Sequence, residues 1–194
     1  AFFGFEVPYF TKHGLETVAV GHPIADGLIG KYKRNKKTTE KIITLVPGSR
    51  MSEVKKLLPL MRNIAERMAR DGYMGYKFVI PTVETTAEYV HNETAHWRVK
   101  PILVPSNERY NIYSKTYIAI AASGTVSAEL AMLHVPTIVV YKMNAITTII
   151  ARILVKIKWV SLVNILLNRT VFPEFLGPAA TVDNIMDAVQ QLTI

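Results

Sequence analysis

Short runs of β-branched and other apolar residues alternate along the chain with longer stretches in which apolar residues return every three or four positions. The short runs predict strands at residues 17–20, 41–46, 77–80, 101–104, 117–121 and 137–141. The periodic stretches predict helices near 52–70, 83–92, 107–114 and 125–133. Strand and helix in alternation is the pattern of βαβ units, so the expected fold is α/β, a doubly wound parallel sheet.

Three stretches depart from this rhythm. Pro59 falls inside the first helical stretch, where a missing N–H and a ring clash predict a short turn followed by the main helix. Residues 31–41, KYKRNKKTTEK, are polar, basic and aperiodic, and read as a loop or linker before the first central strand. Residues 145–162, AITTIIARILVKIKWVSL, are amphipathic and carry Arg152, Lys156 and Lys158. A core helix with a solvated basic edge explains each of these residues singly, and attachment to an anionic membrane surface explains them as a patch. No internal repeat is evident. The opening, AFFGFEVPYFTKHG, starts on apolar residues without Met and reads as the tail of something longer, so a truncated chain is expected.

Composition narrows the chemistry. The 194 residues are 49% apolar, enough for one α/β domain with a substantial core plus extra segments. There is no cysteine, which excludes disulfides, a thiolate nucleophile and cysteine-ligated zinc. The formal charge of +8, from 23 Lys and Arg against 15 Asp and Glu, favours anionic partners without choosing among phosphates, nucleic acid and acidic lipid. No stretch reaches the roughly 20 apolar residues of a membrane-spanning helix, and no secretory signal opens the chain, so a soluble or peripheral protein is expected.

Two strand-turn-helix units carry the candidate chemistry. In IITLVPGSRMSEV, residues 42–54, an apolar strand runs into Pro47, Gly48, Ser49 and Arg50 and then a helix. In a doubly wound sheet such a turn lies at the carboxyl end of a strand, where ligands bind. Gly48 allows close backbone approach, Ser49 caps the helix or bonds a phosphate oxygen, and Arg50 supplies a permanent forked charge. In YIAIAASGTVSAELAMLHVPTIVVYKM, residues 117–143, Ser123, Gly124 and Thr125 fall at a helix N-terminus suited to phosphate oxygens. Glu129 stands one turn further along that helix, placed to accept the two hydroxyls of a ribose. Either unit alone is equally an ordinary turn with a capping serine and surface charges; the two together weaken that reading.

The segments LVPGSRMSEV, AASGTVSAELAML, VPTIVVYKM, WVSLVNILLNR (159–169) and FPEFLG (172–177) occur in the order and spacing of lipid-A-disaccharide synthases, which the chain resembles over nearly its whole length. VGHPIAD, residues 20–26, resembles the family's interdomain stretch. The match is to the carboxyl-terminal half of the family.

The resemblance implies a Rossmann-like, nucleotide-binding domain of a GT-B glycosyltransferase, inverting and without a metal or other cofactor. It implies transfer of 2,3-diacylglucosamine from UDP-2,3-diacylglucosamine to 2,3-diacylglucosamine 1-phosphate, with release of UDP. On this basis residues 1–38 are expected to be a remnant of the preceding domain and its linker, 39–160 the nucleotide-sugar-binding domain, and 161–194 a segment returning toward the first domain or a dimer partner, with residues 160–194 poorly anchored here. Ser49 and Arg50 are expected on the donor diphosphate, Ser123 to Thr125 on its phosphates, Glu129 on the ribose, and Tyr141 and Met143 lining the nucleotide crevice. Asn164 matches a functionally important Asn, and Glu174 bonds a sugar or braces its loop. Val163 and Gly177 depart from the family, which often carries Pro and Gln there. His22, in the interdomain stretch, is a cleft residue more than a base, and His134 a capping or surface residue. The general base is expected in the missing domain, and Arg50 with the helix amino ends is expected to stabilise the leaving UDP. The implied location is cytoplasmic, peripheral to the inner membrane, with a possible homodimer and no nucleic-acid partner. Rival readings are another UDP-sugar glycosyltransferase or epimerase, a basic nucleic-acid-binding domain, and a membrane-surface adaptor.

Overall fold

The computed structural model describes residues 1–28, 30–34, 40–142 and 158–193. Six parallel strands form one sheet: β1 (Ile42–Val46), β2 (Lys77–Thr82), β3 (Ile102–Pro105), β4 (Thr116–Ala122), β5 (Thr137–Tyr141) and β6 (Glu174–Leu176). Their order is β3-β2-β1-β4-β5-β6. The chain moves outward from β1, returns to lay β4 beside β1, and then moves out the other way. This is the Rossmann-like doubly wound arrangement expected, and its direction reverses between β1 and β4.

The described helices are α1 (Val7–Thr11), α2 (Ile24–Leu28), α3 (Met51–Arg70), α4 (Glu84–Thr94), α5 (Arg109–Tyr113), α6 (Thr125–Met132), α7 (Leu162–Leu167) and α8 (Val182–Thr193). Alternate strand residues feed the two faces of the sheet. Ile43, Leu45, Ile118, Ile120, Ile138 and Val140 pack in one core with α3 and α8. Val46, Ala119 and Ala121 pack on the other face with Leu130 and Leu133 at the end of α6. Burial on both faces explains why these strands are continuous apolar runs. A hydroxyl pair inside, Thr44 and Thr116, is mutually satisfied at 2.7 Å across β1 and β4.

Several expectations are corrected. Pro59 does not divide the helix: α3 is continuous, and its apolar stripe of Val54, Leu57, Leu58, Met61, Ile64, Ala65 and Met68 is buried. Pro59 and Lys55 are exposed, so the carbonyl that Pro59 cannot bond faces water, and the stripe holds the helix together across it. Residues 17–20 form no strand, and Val18 and Val20 are exposed. Their backbone bonds run to Ala1, at 3.1 and 3.0 Å, instead of to the sheet edge that a strand requires.

Beyond residue 160 the chain adds a strand and a helix to the same sheet and core. β6 pairs in parallel with β5, and α8 places Ile185, Met186, Ala188 and Val189 in the same core as α3. Residues expected to be poorly anchored are therefore held by a strand register and an apolar helix face. Residues 35–39 of the basic segment and 143–157 of the amphipathic one, with Met143, lie outside the described residues. Among the described residues no helix is long and apolar enough to cross a membrane.

Candidate functional site

β1 and β4 end side by side, with Val46 opposite Ala121. Each then turns into a helix at the same edge of the sheet. Between the two turns lies a cleft of about 480 Å³ whose lining includes Gly48, Ser49, Arg50, Ser123, Gly124, Thr125 and Glu129. The structure thus brings seven of the sequence-predicted residues into one hollow at the switch point.

Local conformation places each of them. Gly48 has φ +104°, and a Cβ there would lie 2.6 Å from Glu53 Oε2 and 3.2 Å from Glu53 Cβ. Only glycine accommodates both the backbone and its neighbour. Arg50 is the N-cap residue of α3 in an extended conformation. Its side chain is 79% exposed, and its Nη1 donates to Glu53 Oε1 at 2.9 Å. Two edges of the fork, Nε and Nη2, are left for a ligand.

The second turn makes a helix start with open amides. Gly124 is the N-cap residue of α6 and provides no side-chain cap. Ser123 does not cap it either, because its Oγ donates to the Val160 carbonyl at 3.3 Å. The first-turn N–H groups of Thr125 and Val126, both lining the cleft, have no acceptor within the helix. They and the helix dipole favour an anion there.

Glu129 is 7% exposed and lines the cleft. Its partners were not foreseen from the sequence. Arg109 donates from Nε to Glu129 Oε2 and from Nη2 to Oε1, both at 3.3 Å, and the Tyr110 hydroxyl donates to Oε1 at 3.0 Å. Burial works against the Arg109 charge, but Glu129 outweighs it and the guanidinium pKa ends above its ordinary value. Burial, with Glu129 adding to it, raises the Tyr110 hydroxyl, which stays protonated and donates. The signal in the sequence was slight: Arg109 follows a predicted strand at the ligand-binding edge, but β3 is three strands away from β4.

The cleft is therefore not simply basic. Arg50 pairs with Glu53, and Arg109 with Glu129, so the two charges of each sign balance. What favours an anion is the spare fork of Arg50 and two helix amino ends, directed groups instead of an excess of charge. No group of three or more His, Asp or Glu that could hold a metal ion occurs among the described residues.

Other predicted residues lie elsewhere. Asn164 is fully buried: its Nδ2 donates to the Phe172 carbonyl and to Glu174 Oε1, and its Oδ1 accepts from the amides of Val171 and Phe172. Glu174 accepts further bonds from the amides of Val160 and Ser161, at 2.7 and 3.0 Å. The pair braces the loop that leads into β6, and neither lines the cleft. Tyr141 ends β5 outside the cleft lining. The His22 ring packs between Phe2 and Phe3, and its Nδ1 accepts from the Ile24 amide at 3.2 Å. His134 is exposed, with φ 56°, in the turn that ends α6.

A sequence profile of the family described as lipid-A-disaccharide synthetase matches residues 1–193. The chain is 35% identical over 196 aligned residues to lipid-A-disaccharide synthases of Rhodospirillum centenum and Paramagnetospirillum magneticum, which it meets over 97% and 96% of its own length. It covers 49% and 50% of theirs, so it spans about half the length of these relatives. Among solved structures it resembles the Escherichia coli ADP-heptose lps heptosyltransferase II, with a TM-score of 0.53 at 9% identity over 88% of this chain and 50% of that one. That likeness is one of fold.

Proposed function

The chain belongs to the lipid-A-disaccharide synthetase family, and from that premise we propose that it is the donor-binding half of an inverting glycosyltransferase. The donor is UDP-2,3-diacylglucosamine, the acceptor 2,3-diacylglucosamine 1-phosphate, and the products are the lipid A disaccharide and UDP. The observation that carries this reading is the convergence of the Gly48–Arg50 turn, the Ser123–Thr125 turn and Glu129 on one cleft at the switch point.

The diphosphate spans the two helix amino ends, where the Thr125 and Val126 amides and the Arg50 fork meet its oxygens. As the sugar–phosphate bond breaks, negative charge grows on the β-phosphate, and these preorganised donors stabilise it more strongly than they stabilise the bound donor. Glu129 receives a ribose hydroxyl. The acceptor is deprotonated by a base from the rest of the enzyme, and no metal is required. Asn164 and Glu174 act by holding the 160–174 loop against Ser123, whose hydroxyl reaches the Val160 carbonyl.

Lipid substrates place the enzyme at the inner membrane. The exposed Leu166, Leu167 and Val171 near Arg169 are a surface suited to such contact. The other half of the enzyme, and a second copy of it, are the expected protein partners.

Calorimetric titration of the purified protein with UDP and UDP-GlcNAc tests the donor site. Arg50→Ala removes charge-assisted bonds worth about 1.5–3 kcal/mol each, and affinity is expected to fall at least about tenfold. Glu129→Ala is expected to weaken binding as well, with the circular dichroism of both variants unchanged. Undiminished affinity in both variants would remove the donor site from this cleft.

A further inference from the structure

Arg109 lines the donor cleft, yet four of its five N–H donors are committed within the protein. Nε and Nη2 reach the two oxygens of Glu129 at 3.3 Å, Nη1 reaches the Ser106 carbonyl at 2.9 Å, and Nη2 also reaches the Tyr110 hydroxyl at 2.6 Å. The guanidinium lies over the Tyr110 ring, 4.1 Å from its centroid, and that ring is wedged between Tyr32 and Tyr113 at 5.4 and 6.2 Å. A side chain held by Glu129, Ser106 and Tyr110 in this way has little freedom to turn toward a phosphate.

What it fixes is the carboxylate. Glu129 Oε1 accepts from both Arg109 and Tyr110, whereas Oε2 accepts from Arg109 alone. A carboxylate offers about four acceptor sites, so one remains, on Oε2. The neighbouring guanidinium also neutralises Glu129, without which a buried carboxylate would stand unpaired in a cleft that admits a dianionic diphosphate.

We propose that Arg109, with Tyr110, is the positioning residue for the nucleotide ribose: it holds Glu129 with Oε1 filled and one acceptor site of Oε2 open to a ribose hydroxyl. The inference rests on the donor-site reading above and adds that ribose recognition is set from α5 and not by Glu129 alone. Because α5 follows β3, an outer strand three places from β4, a distant βα turn shapes the α6 side of the site.

The test compares UDP with 2′,3′-dideoxy-UDP on the full chain by calorimetry. The unaltered protein is expected to prefer UDP by about tenfold or more, the loss due to missing hydroxyl bonds to a charged acceptor. Arg109→Gln is expected to reduce that preference to within about twofold. Arg109→Gln combined with Glu129→Gln is expected to bind UDP no more weakly than Glu129→Gln alone, since the two residues act through one contact. Arg109→Lys keeps the charge without the fork, and is expected to lose most of the preference while retaining the fold; it decides the matter if Arg109→Gln fails to fold.

Preference retained in Arg109→Gln or Arg109→Lys overturns the inference. So does an equal loss for both ligands with the preference intact, which would make Arg109 a phosphate contact. UDP bound by the unaltered protein without preference removes the ribose role of Glu129, and the inference with it, while leaving a diphosphate site. No binding of either ligand overturns the donor-site reading itself.

Discussion

Gly48 shows how narrowly a single position is specified. Its backbone lies at φ +104°, where an L side chain is strained, and the space a Cβ would take is already filled by Glu53. Glu53 is in turn the partner of Arg50. Gly48→Ala is therefore expected to lower stability by about 1–3 kcal/mol in urea denaturation and to displace the Arg50 fork, weakening UDP binding. An unchanged midpoint would mean that the turn relaxes freely. Gly48 and Arg50 could be picked out in the sequence because glycine and arginine suit a phosphate turn whatever surrounds them. The partners of Glu129 could not, because 20 residues separate it from Arg109 and nothing in the spacing joins them. Asn164 belongs to the same lesson: its residue type fits a ligand contact and a buried brace equally well, and its four hydrogen bonds make it the brace.

Within elements, the apolar stripe outweighs local propensity. α3 runs for 20 residues through Pro59 because seven of its buried side chains sit on one face and the proline on the other. Sequence rules end a helix at such a proline, since they count the lost hydrogen bond and not the packing that offsets it. Pro59→Ala restores an N–H donor in a helix that is already formed, and is expected to raise stability by about 1–2 kcal/mol, read as a higher urea midpoint. A lower midpoint would show that the helix needs the proline to direct its path. The converse holds at residues 17–20, whose β-branched content suits a strand but which have no sheet edge beside them.

At the scale of the whole molecule, the order β3-β2-β1-β4-β5-β6 puts two helix amino ends next to each other at one place, between β1 and β4. β6 and α8 complete the same body on its far side: α8 covers the sheet with Ile185, Met186 and Val189, beside α3. Deleting residues 182–194 is expected to expose that core and abolish the cooperative urea transition, not to trim a loose tail; a sharp transition that survives would make α8 an appendage. The alternation of strand and helix, the two phosphate-suited turns and the family itself were determined by sequence, because side-chain periodicity and backbone turn chemistry act over a few residues and leave their pattern in order along the chain. The Arg109 clamp on Glu129, the structural role of Asn164, the uninterrupted α3 and the integration of α8 were decided by tertiary structure. Each depends on which distant surface comes to lie against it, and the free energy of burial and pairing between distant segments is recorded at neither segment alone.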